Sequence, residues 1–177
     1  MDIADHIASL RATIRDVPDF PKPGIVFKDI TTLLKDPAAF RRAVDLLTVL
    51  CGDLSLDRVA AVESRGFIIG SVLAHRLGAG FVPVRKQGKL PYRTVKATYE
   101  LEYGTDCLEI HEDAFTRGER VLIVDDLIAT GGTARTVAGL VERLGGDVAA
   151  CAFLVELSFL NGRDKLAGYE VLSLIRY

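Results

Sequence analysis

The chain has 177 residues, 49% of them hydrophobic, and a formal net charge of -2 at pH 7. This length and apolar content predict a single folded domain, residues 1–177, with a substantial core. The nearly balanced charge argues against a nucleic-acid partner, and no apolar run has the length of a membrane span. The amphipathic first residues contain no signal-peptide core, so we expect a cytoplasmic protein without membrane partners.

Three cysteines, Cys51, Cys107 and Cys151, are widely spaced and lie in apolar or strand-like surroundings. The three histidines form no recognisable constellation with them, so the pattern favours neither a catalytic thiol nor a Cys/His metal site. We expect structural thiols in a reducing compartment.

The first fifty residues predict two helices separated by an irregular segment. Apolar residues recur at helical spacing over Ile3–Ile14, and the helix should end before Pro18. The prolines and glycine of DFPKPGIVFKDIT, residues 19–31, predict irregular structure with an apolar plug that packs back on the core. Asp36 followed by Pro37 is a good N-cap and first-turn pair for the next helix.

Predicted strands alternate with helical patterns along the rest of the chain. No repeat or linker interrupts them, which predicts one α/β domain with a mainly parallel central sheet flanked by helices. In such sheets ligands bind beyond the carboxyl ends of the strands. The predicted strands are Val59–Val62, Phe81–Val84, Thr98–Tyr103, Cys107–Ile110, Val121–Val124, Val148–Val155 and Val171–Ile175.

The stretch VLIVDDLIATGGT, residues 121–133, carries the clearest functional signal. Four apolar residues predict a buried strand that ends at Asp125 and Asp126, and a turn of small residues then leads into a helix after Thr133. Backbone amides and the helix dipole make such a turn an anion site, to which Thr130 and Thr133 add hydroxyls. Paired aspartates beside a phosphate suit vicinal hydroxyls or a divalent cation, so a phosphorylated sugar is expected. The alternative is a solvated strand end with a helix cap at Thr133.

A second turn between a strand and a helix reads Glu63, Ser64, Arg65, Gly66. Its amides and the planar fork of Arg65 are suited to a second anion. An ordinary turn with a surface arginine is equally compatible with this segment alone.

A basic segment follows the strand that ends at Val84. Between Arg85 and Lys96 there are five basic residues and no acidic one. We predict a mobile lid that closes over a polyphosphate and excludes water, with a solvated surface loop as the commoner alternative.

VLIVDDLIATGGT resembles the signature that binds phosphoribosyl pyrophosphate (PRPP) in type I phosphoribosyltransferases. The resemblance extends over nearly the full chain, and its other motifs are similar to those of the adenine-specific members of the family. Several separated motifs in family order are far more specific than one. They are DFPKPGIVFKDIT, ESRGF, RKQGKLP, YELEYG and FLVEL.

This resemblance implies the type I phosphoribosyltransferase fold with a base-binding hood, residues 1–35, and a flexible catalytic loop, residues 85–103. It implies transfer of the 5-phosphoribosyl group from PRPP to adenine, which gives AMP and pyrophosphate in purine salvage. The transition state would resemble an oxocarbenium ion. Mg²⁺ would arrive on PRPP without a direct protein ligand, and the enzyme would be a homodimer.

The resemblance also implies which residues hold PRPP. The ribose hydroxyls would be contacted by Asp125 and Asp126. The 5′-phosphate would be held by Ala129, Thr130, Gly131, Gly132 and Thr133. The pyrophosphate would be bound by Glu63, Ser64, Arg65, Gly66, Arg85, Lys86 and Lys89.

For adenine, the family places the ring between Val26–Phe27 and Leu157, with main-chain groups of residues 26–28 reading its polar edge. Family members often carry arginine at the position of Lys28, which leaves an ionic role there open because the two cations differ in geometry.

Catalysis would rest on Arg65 and Glu102. Arg65 would stabilise the leaving pyrophosphate, and Glu102 would manage the proton on the purine N7 while N9 attacks. Glu100 is two residues away on the same strand face, so the sequence does not separate it from Glu102.

Three rival functions stay open at this level. A related enzyme would use hypoxanthine, guanine or xanthine with the same PRPP machinery. A regulator would sense PRPP without chemistry. An unrelated phosphate-binding α/β module would make the VLIVDDLIATGGT match a coincidence.

Overall fold

The computed structural model describes residues 3–100 and 105–177. The chain divides into two compact units, residues 1–46 and 47–177. Glu102, the predicted acid/base, lies outside the described residues. Of the helices described, none has both the length and the apolar character needed to cross a membrane.

The first unit contains helix α1, Ile3–Thr13, and an antiparallel hairpin of β1, Arg15–Pro18, and β2, Val26–Asp29. The prediction of irregular structure was therefore wrong for residues 26–29. The prolines at positions 21 and 23 fall in the connection between the strands, where a missing N–H breaks no ladder hydrogen bond. The Gly24 N–H donates to Asp19 Oδ1 at 2.7 Å and closes this connection.

A short helix α2, Thr31–Leu34, precedes helix α3, Pro37–Cys51. The predicted cap of α3 is confirmed, because Asp36 Oδ1 accepts the N–H groups of Ala38 at 2.8 Å and Ala39 at 3.0 Å. Two of the first N–H groups of the helix are satisfied in this way.

The second unit is built on a seven-stranded sheet in the order β5-β6-β4-β3-β7-β8-β9. Strands β4, β3, β7, β8 and β9 are mutually parallel, and β6 pairs antiparallel with both β4 and β5. The predicted α/β fold with a mainly parallel sheet is confirmed. The strands are β3 Arg58–Val62, β4 Gly80–Lys86, β5 Thr94–Glu100, β6 Thr105–His111, β7 Arg120–Ile128, β8 Asp147–Glu156 and β9 Val171–Arg176.

Two helices complete the second unit, α4, Arg65–Leu77, and α5, Gly132–Arg143. The core between sheet and helices is formed by buried hydrophobic side chains, among them Ile123, Val137 and Phe153. Gly70 lets α4 lie close to the sheet, because a Cβ at this position would overlap the Ala61 Cβ. Close helix–sheet packing fixes where the first turn of α4 meets the strands.

Strand β7 is longer than predicted. It continues through Asp125 and Asp126 to Ile128, because β8 pairs with it along this stretch, with Asp125 opposite Phe153 and Ile128 opposite Glu156. The two carboxylates are therefore held on a strand in the sheet and not in a loop beyond it. Helix α5 begins at Gly132 and includes Thr133, whereas the prediction placed the helix after Thr133.

Strand β5 begins at Thr94, four residues earlier than predicted, and pairs with β6 over its whole length. Residues 85–86 and 94–96 of the basic segment are thus strand, and whether residues 85–103 open and close stays a prediction. The predicted loop after β8 contains two short 3-10 helices, Ser158–Leu160 and Gly162–Leu166.

Candidate active site

Two helices start at the same edge of the sheet, beyond the carboxyl ends of β3 and β7. Helix α4 follows β3 after Glu63 and Ser64, and α5 follows β7 after the turn at residues 129–131. Among the described residues, the N-cap residue of α4, Ser64, makes no side-chain cap hydrogen bond, and the N-cap residue of α5, Gly131, has no side chain with which to make one. Both helix starts therefore present backbone N–H groups and a positive dipole end to one region.

The turn before α5 encloses a cavity of about 90 Å³. Gly131 gives the turn its shape, since it has φ 78°, a left-handed conformation that favours glycine. All five residues predicted to hold a phosphate come together here. The cavity is lined by Asp125, Leu127, Ile128, Ala129, Thr130, Gly131, Gly132, Thr133, Ala134 and Phe153.

The backbone of Gly162 packs against this turn. A Cβ built on Gly162 would overlap the Ala129 carbonyl oxygen, and one built on Gly131 would overlap the Gly162 carbonyl oxygen. Two backbones are thus in direct contact, which only residues without a Cβ allow. Gly162 was not among the predicted site residues.

Asp125 and Asp126 differ in their surroundings. Asp126 is 5% exposed, whereas Asp125 is half-buried and its Oδ1 accepts the Asp126 N–H at 2.8 Å. Burial, and then the neighbouring charge of Asp126, raises the pKa of Asp125 well above its usual value, although the Arg65 charge opposes this. Gly66 lies against the same carboxylate, since a Cβ there would be 2.8 Å from Asp125 Oδ1.

Arg65 joins the two predicted anion turns. Its Nε lies 2.9 Å from Asp126 Oδ2, so the first turn of α4 is tied to β7. A second cavity of about 300 Å³ opens here and shares Asp125, Leu127 and Thr133 with the first. It is lined by Val62, Glu63, Ser64, Arg65, Lys86, Tyr99, Leu108, Asp125, Asp126, Leu127 and Thr133.

Glu63 and Arg85 are paired with each other. Arg85 donates Nε and Nη2 to Glu63 Oε2 at 3.0 and 2.9 Å, and the Lys86 N–H donates to Glu63 Oε1 at 2.6 Å. The charge of Arg85 is therefore already paired with the carboxylate of Glu63. Its position fits a brace between β4 and the turn at Glu63 better than a direct pyrophosphate ligand.

Lys86 reaches the second cavity from the end of β4. Its Nζ lies 3.0 Å from Asp106 Oδ2, and the hydrogen bond from Lys86 to Asp106 raises the pKa of this lysine. Tyr99 OH donates to the same Asp106 oxygen at 3.4 Å. Tyr99 and Asp106 pair across β5 and β6 at the base of the segment that carries Glu102.

Lys89 lies in a turn that a buried carboxylate organises. Glu109, 2% exposed, accepts the N–H groups of Lys89 and Leu90, each at 3.0 Å, and the Thr94 hydroxyl at 3.3 Å. Burial raises the pKa of Glu109, but the N–H donors outweigh it and leave the pKa below its usual value. This role of Glu109 was not predicted. The position of Glu109 between the apolar residues Leu108 and Ile110 of β6 is the feature of the sequence that indicates a buried carboxylate.

The residues predicted to hold adenine belong to two elements. Val26, Phe27 and Lys28 lie on β2, where the Phe27 ring packs edge-on against Phe20 at 5.1 Å. The Lys28 ammonium is 2.6 Å from Asp16 Oδ1. In the second unit, Leu157 follows β8 directly and is partly exposed.

With this geometry established, the chain was compared with known proteins. A model of the phosphoribosyl transferase domain matches residues 29–173. The chain therefore belongs to the phosphoribosyltransferase family.

Individual relatives are more specific. The chain is 60% identical over 168 residues to the adenine phosphoribosyltransferase of Thermotoga neapolitana, an alignment that covers 95% of this chain and 99% of the relative. The crystal structure of adenine phosphoribosyltransferase from Thermoanaerobacter pseudethanolicus has a TM-score of 0.94 at 56% identity, covering 97% of this chain and 99% of the other. The Saccharomyces cerevisiae adenine phosphoribosyltransferase, complexed with adenine and an imino-altritol bisphosphate, has a TM-score of 0.91 at 41% identity, with coverage of 97% and 99%.

Proposed function

We propose that this chain transfers the 5-phosphoribosyl group from PRPP to adenine, giving AMP and pyrophosphate. One observation carries the proposal: two cavities at helix starts adjoin at Asp125 and Thr133, and Asp126 lines the second of them. PRPP has the matching form, with one phosphate at C5′, a pyrophosphate at C1′ and a diol between them. The identity with adenine phosphoribosyltransferases supports adenine as the acceptor.

The 5′-phosphate would occupy the turn at residues 129–133, held by backbone N–H groups and the hydroxyls of Thr130 and Thr133. The ribose hydroxyls would then face Asp125 and Asp126. Asp126 Oδ2 is buried and accepts no hydrogen bond from any described residue. A hydroxyl from the ligand would satisfy it.

Pyrophosphate would lie in the second cavity beside Arg65 and Lys86. Each cation is already near a carboxylate, Asp126 and Asp106 respectively. Bound pyrophosphate would share these cations with the carboxylates. Arg85 and Glu63 would hold the turn in place, and Lys89 would contribute from the turn that Glu109 organises.

In the reaction, the bond between C1′ and the pyrophosphate oxygen breaks and its electron pair leaves with pyrophosphate, while N9 of adenine forms the new bond to C1′. Positive charge develops on the ribose, where the carboxylates of Asp125 and Asp126 favour it. Negative charge develops on the leaving group, where Arg65 and Lys86 favour it. Glu102 would take up the proton released from the purine.

Mg²⁺ is proposed as part of the substrate. Among residues 3–100 and 105–177, no group of three or more His, Cys, Asp or Glu side chains is placed to hold a metal ion. Asp125 and Asp126 line the second cavity, but the ribose hydroxyls would occupy them. Mg²⁺ on PRPP would neutralise polyphosphate charge and so improve the leaving group.

For adenine we propose stacking between residues 26–27 and Leu157, with main-chain groups of residues 26–28 on the polar edge. The short contact between Lys28 and Asp16 supports a main-chain role here, because the lysine charge is already paired.

We further propose a cytoplasmic homodimer. The cytoplasm is supported by buried thiols: burial raises the pKa of Cys51 to about 11 and of Cys151 to about 12. A dimer is supported by large apolar side chains that the single chain leaves exposed in the second unit, such as Ile68 and Phe81. Sedimentation at several protein concentrations tests it.

The test of the function is AMP formation from adenine and PRPP, with and without Mg²⁺, against a panel of hypoxanthine, guanine and xanthine. We expect AMP only with Mg²⁺ and a strong preference for adenine. A preference for hypoxanthine, guanine or xanthine would show that the acceptor is a 6-oxopurine and not adenine. PRPP binding without any nucleotide product would favour the sensing function instead.

A further inference from the structure

One ion pair between a buried carboxylate and a partly exposed arginine closes the segment that follows β8. Glu156, the last residue of β8, is 6% exposed, and Arg163 lies seven residues further on. The guanidinium donates Nε to Oε1 and Nη2 to Oε2, both at 2.8 Å, and donates Nη1 to the Val171 carbonyl at 2.9 Å. This planar, bidentate geometry joins the two ends of residues 156–163.

The two ends of this segment contact different parts of the candidate site. At one end, the Leu157 N–H donates to the Ile128 carbonyl at 3.0 Å, where β7 ends. At the other end, Gly162 packs its backbone against Ala129 and Gly131 in the phosphate turn. The segment thus spans from the residue expected beside adenine to the support of the 5′-phosphate.

We propose that Glu156 and Arg163 are positioning residues that set the spacing between the adenine contact at Leu157 and the phosphate turn at residues 129–131. The inference rests on the proposed function, which gives these two points their ligands. Glu156 belongs to the FLVEL motif and touches no proposed ligand. Glu156 would act through its partner Arg163, which directly follows Gly162 in the chain.

AMP is the ligand that reports this spacing, because it carries adenine and the 5′-phosphate joined covalently through one ribose. Adenine alone, or ribose 5-phosphate alone, senses only one end of the segment. If the segment relaxes, each fragment can still adapt to its own half of the site, whereas AMP must satisfy both halves at once.

The variant that isolates this effect is Arg163→Lys, which keeps the charge beside buried Glu156 but loses the bidentate fork. Calorimetric titrations with AMP, ribose 5-phosphate and adenine are made below the melting temperature of each variant. We expect AMP affinity to fall about tenfold, and each fragment to lose less than about threefold. Lys165→Gln, an exposed cation in the same 3-10 helix, is the matched control and should behave like the parent.

Equal losses for AMP and ribose 5-phosphate would overturn the inference, because a purely structural defect weakens both alike. If Arg163→Lys does not fold, Glu156→Gln keeps one strong acceptor for Arg163 and is read in the same way. A parent that makes AMP, together with a variant of unchanged AMP affinity, rejects this inference alone. A parent that neither binds nor makes AMP rejects the proposed function and this inference with it.

Discussion

Asp126 Oδ2 lies 2.9 Å from Arg65 Nε, yet it is buried and accepts no hydrogen bond from any residue that the structure describes. The charges of Arg65 and Asp126 attract each other, but the Nε–H group of Arg65 is not directed at Oδ2 of Asp126. A buried carboxylate oxygen in this state can accept a hydrogen bond from a ligand, and the ribose hydroxyl of the proposed substrate would donate one.

Replacing this acceptor is the first prediction. Asp126→Asn keeps the size of the side chain but presents an amide to the ribose and removes the charge beside Arg65. A hydrogen bond to a charged group contributes about 1.5–3 kcal/mol, so KM for PRPP should rise roughly tenfold to a hundredfold. KM for adenine should change little. Asp113→Asn, at an exposed position, is the control, and equal KM values for the two variants would contradict the role.

Asp125 gives a prediction for stability. Its pKa in the folded chain is raised above the ordinary 3.8, so the folded chain holds this proton more tightly than the unfolded one. Its contribution to stability is complete below the ordinary pKa and is lost as pH rises through the raised value. Asp125→Asn cannot ionise and should melt at a higher temperature than the parent at pH 8, by about 2–4 °C for each kcal/mol regained.

Thermal melts from pH 4 to pH 8 test this directly. The difference between Asp125→Asn and the parent should shrink toward pH 4. A difference that is constant with pH would show that ionisation of Asp125 does not limit stability. The same variant should bind PRPP more weakly, so stability and function oppose each other at this position.

Gly66 and Gly139 form a matched pair of helical glycines. At Gly66 a methyl group would press on Asp125 Oδ1 at 2.8 Å and on the Val124 carbonyl at 3.2 Å, whereas nothing lies within 4 Å at Gly139. Gly66→Ala should displace Asp125 and raise KM for PRPP at least about tenfold. Gly139→Ala should leave kinetics unchanged and stabilise α5 by about 0.5–1 kcal/mol.

Glu109 is predicted to act through the turn at Lys89. Glu109→Gln removes a buried charge that accepts two N–H groups there, and each such bond contributes about 1.5–3 kcal/mol. KM for PRPP should rise while KM for adenine stays near that of the parent. Glu112→Gln, an exposed acid on the residues just after β6, serves as control. A uniform loss of kcat with unchanged KM would reject this role.

Glu102 and Glu100 are separated by kinetics. As the acid/base, Glu102 should contribute through kcat, so Glu102→Gln should lower kcat about a hundredfold or more. Glu100→Gln should lower it far less. Comparable losses in both variants would mean that the two carboxylates share the task.

The parallel sheet and the two turns that precede α4 and α5 were predictable because buried strands and glycine-containing turns have a local signal. Asp125 shows the limit of that signal. The sequence predicted that the strand ends at Asp125 and Asp126, but pairing of β7 with β8 extends the strand to Ile128. Strand length depends on the partner strand, which lies far away in sequence.

The roles of Glu109, Gly162 and Arg163 were not predictable for a related reason. Each acts on backbone groups of a segment distant in sequence, and no residue type or spacing encodes such a contact. The hairpin of β1 and β2 was missed because the prolines were taken to prevent strands on both sides of the turn. In the fold Pro18 is the last residue of β1, and Pro21 and Pro23 lie in the turn.

The distribution of the cysteines has a practical consequence. Cys51 and Cys151 are fully buried with raised pKa values, which leaves partly exposed Cys107 as the thiol most open to reagents. Cys107 lies on β6 opposite Thr98, which is within the predicted catalytic loop of residues 85–103. A maleimide dye should therefore attach near the base of the catalytic loop without any engineered residue, and its fluorescence would follow loop motion during turnover.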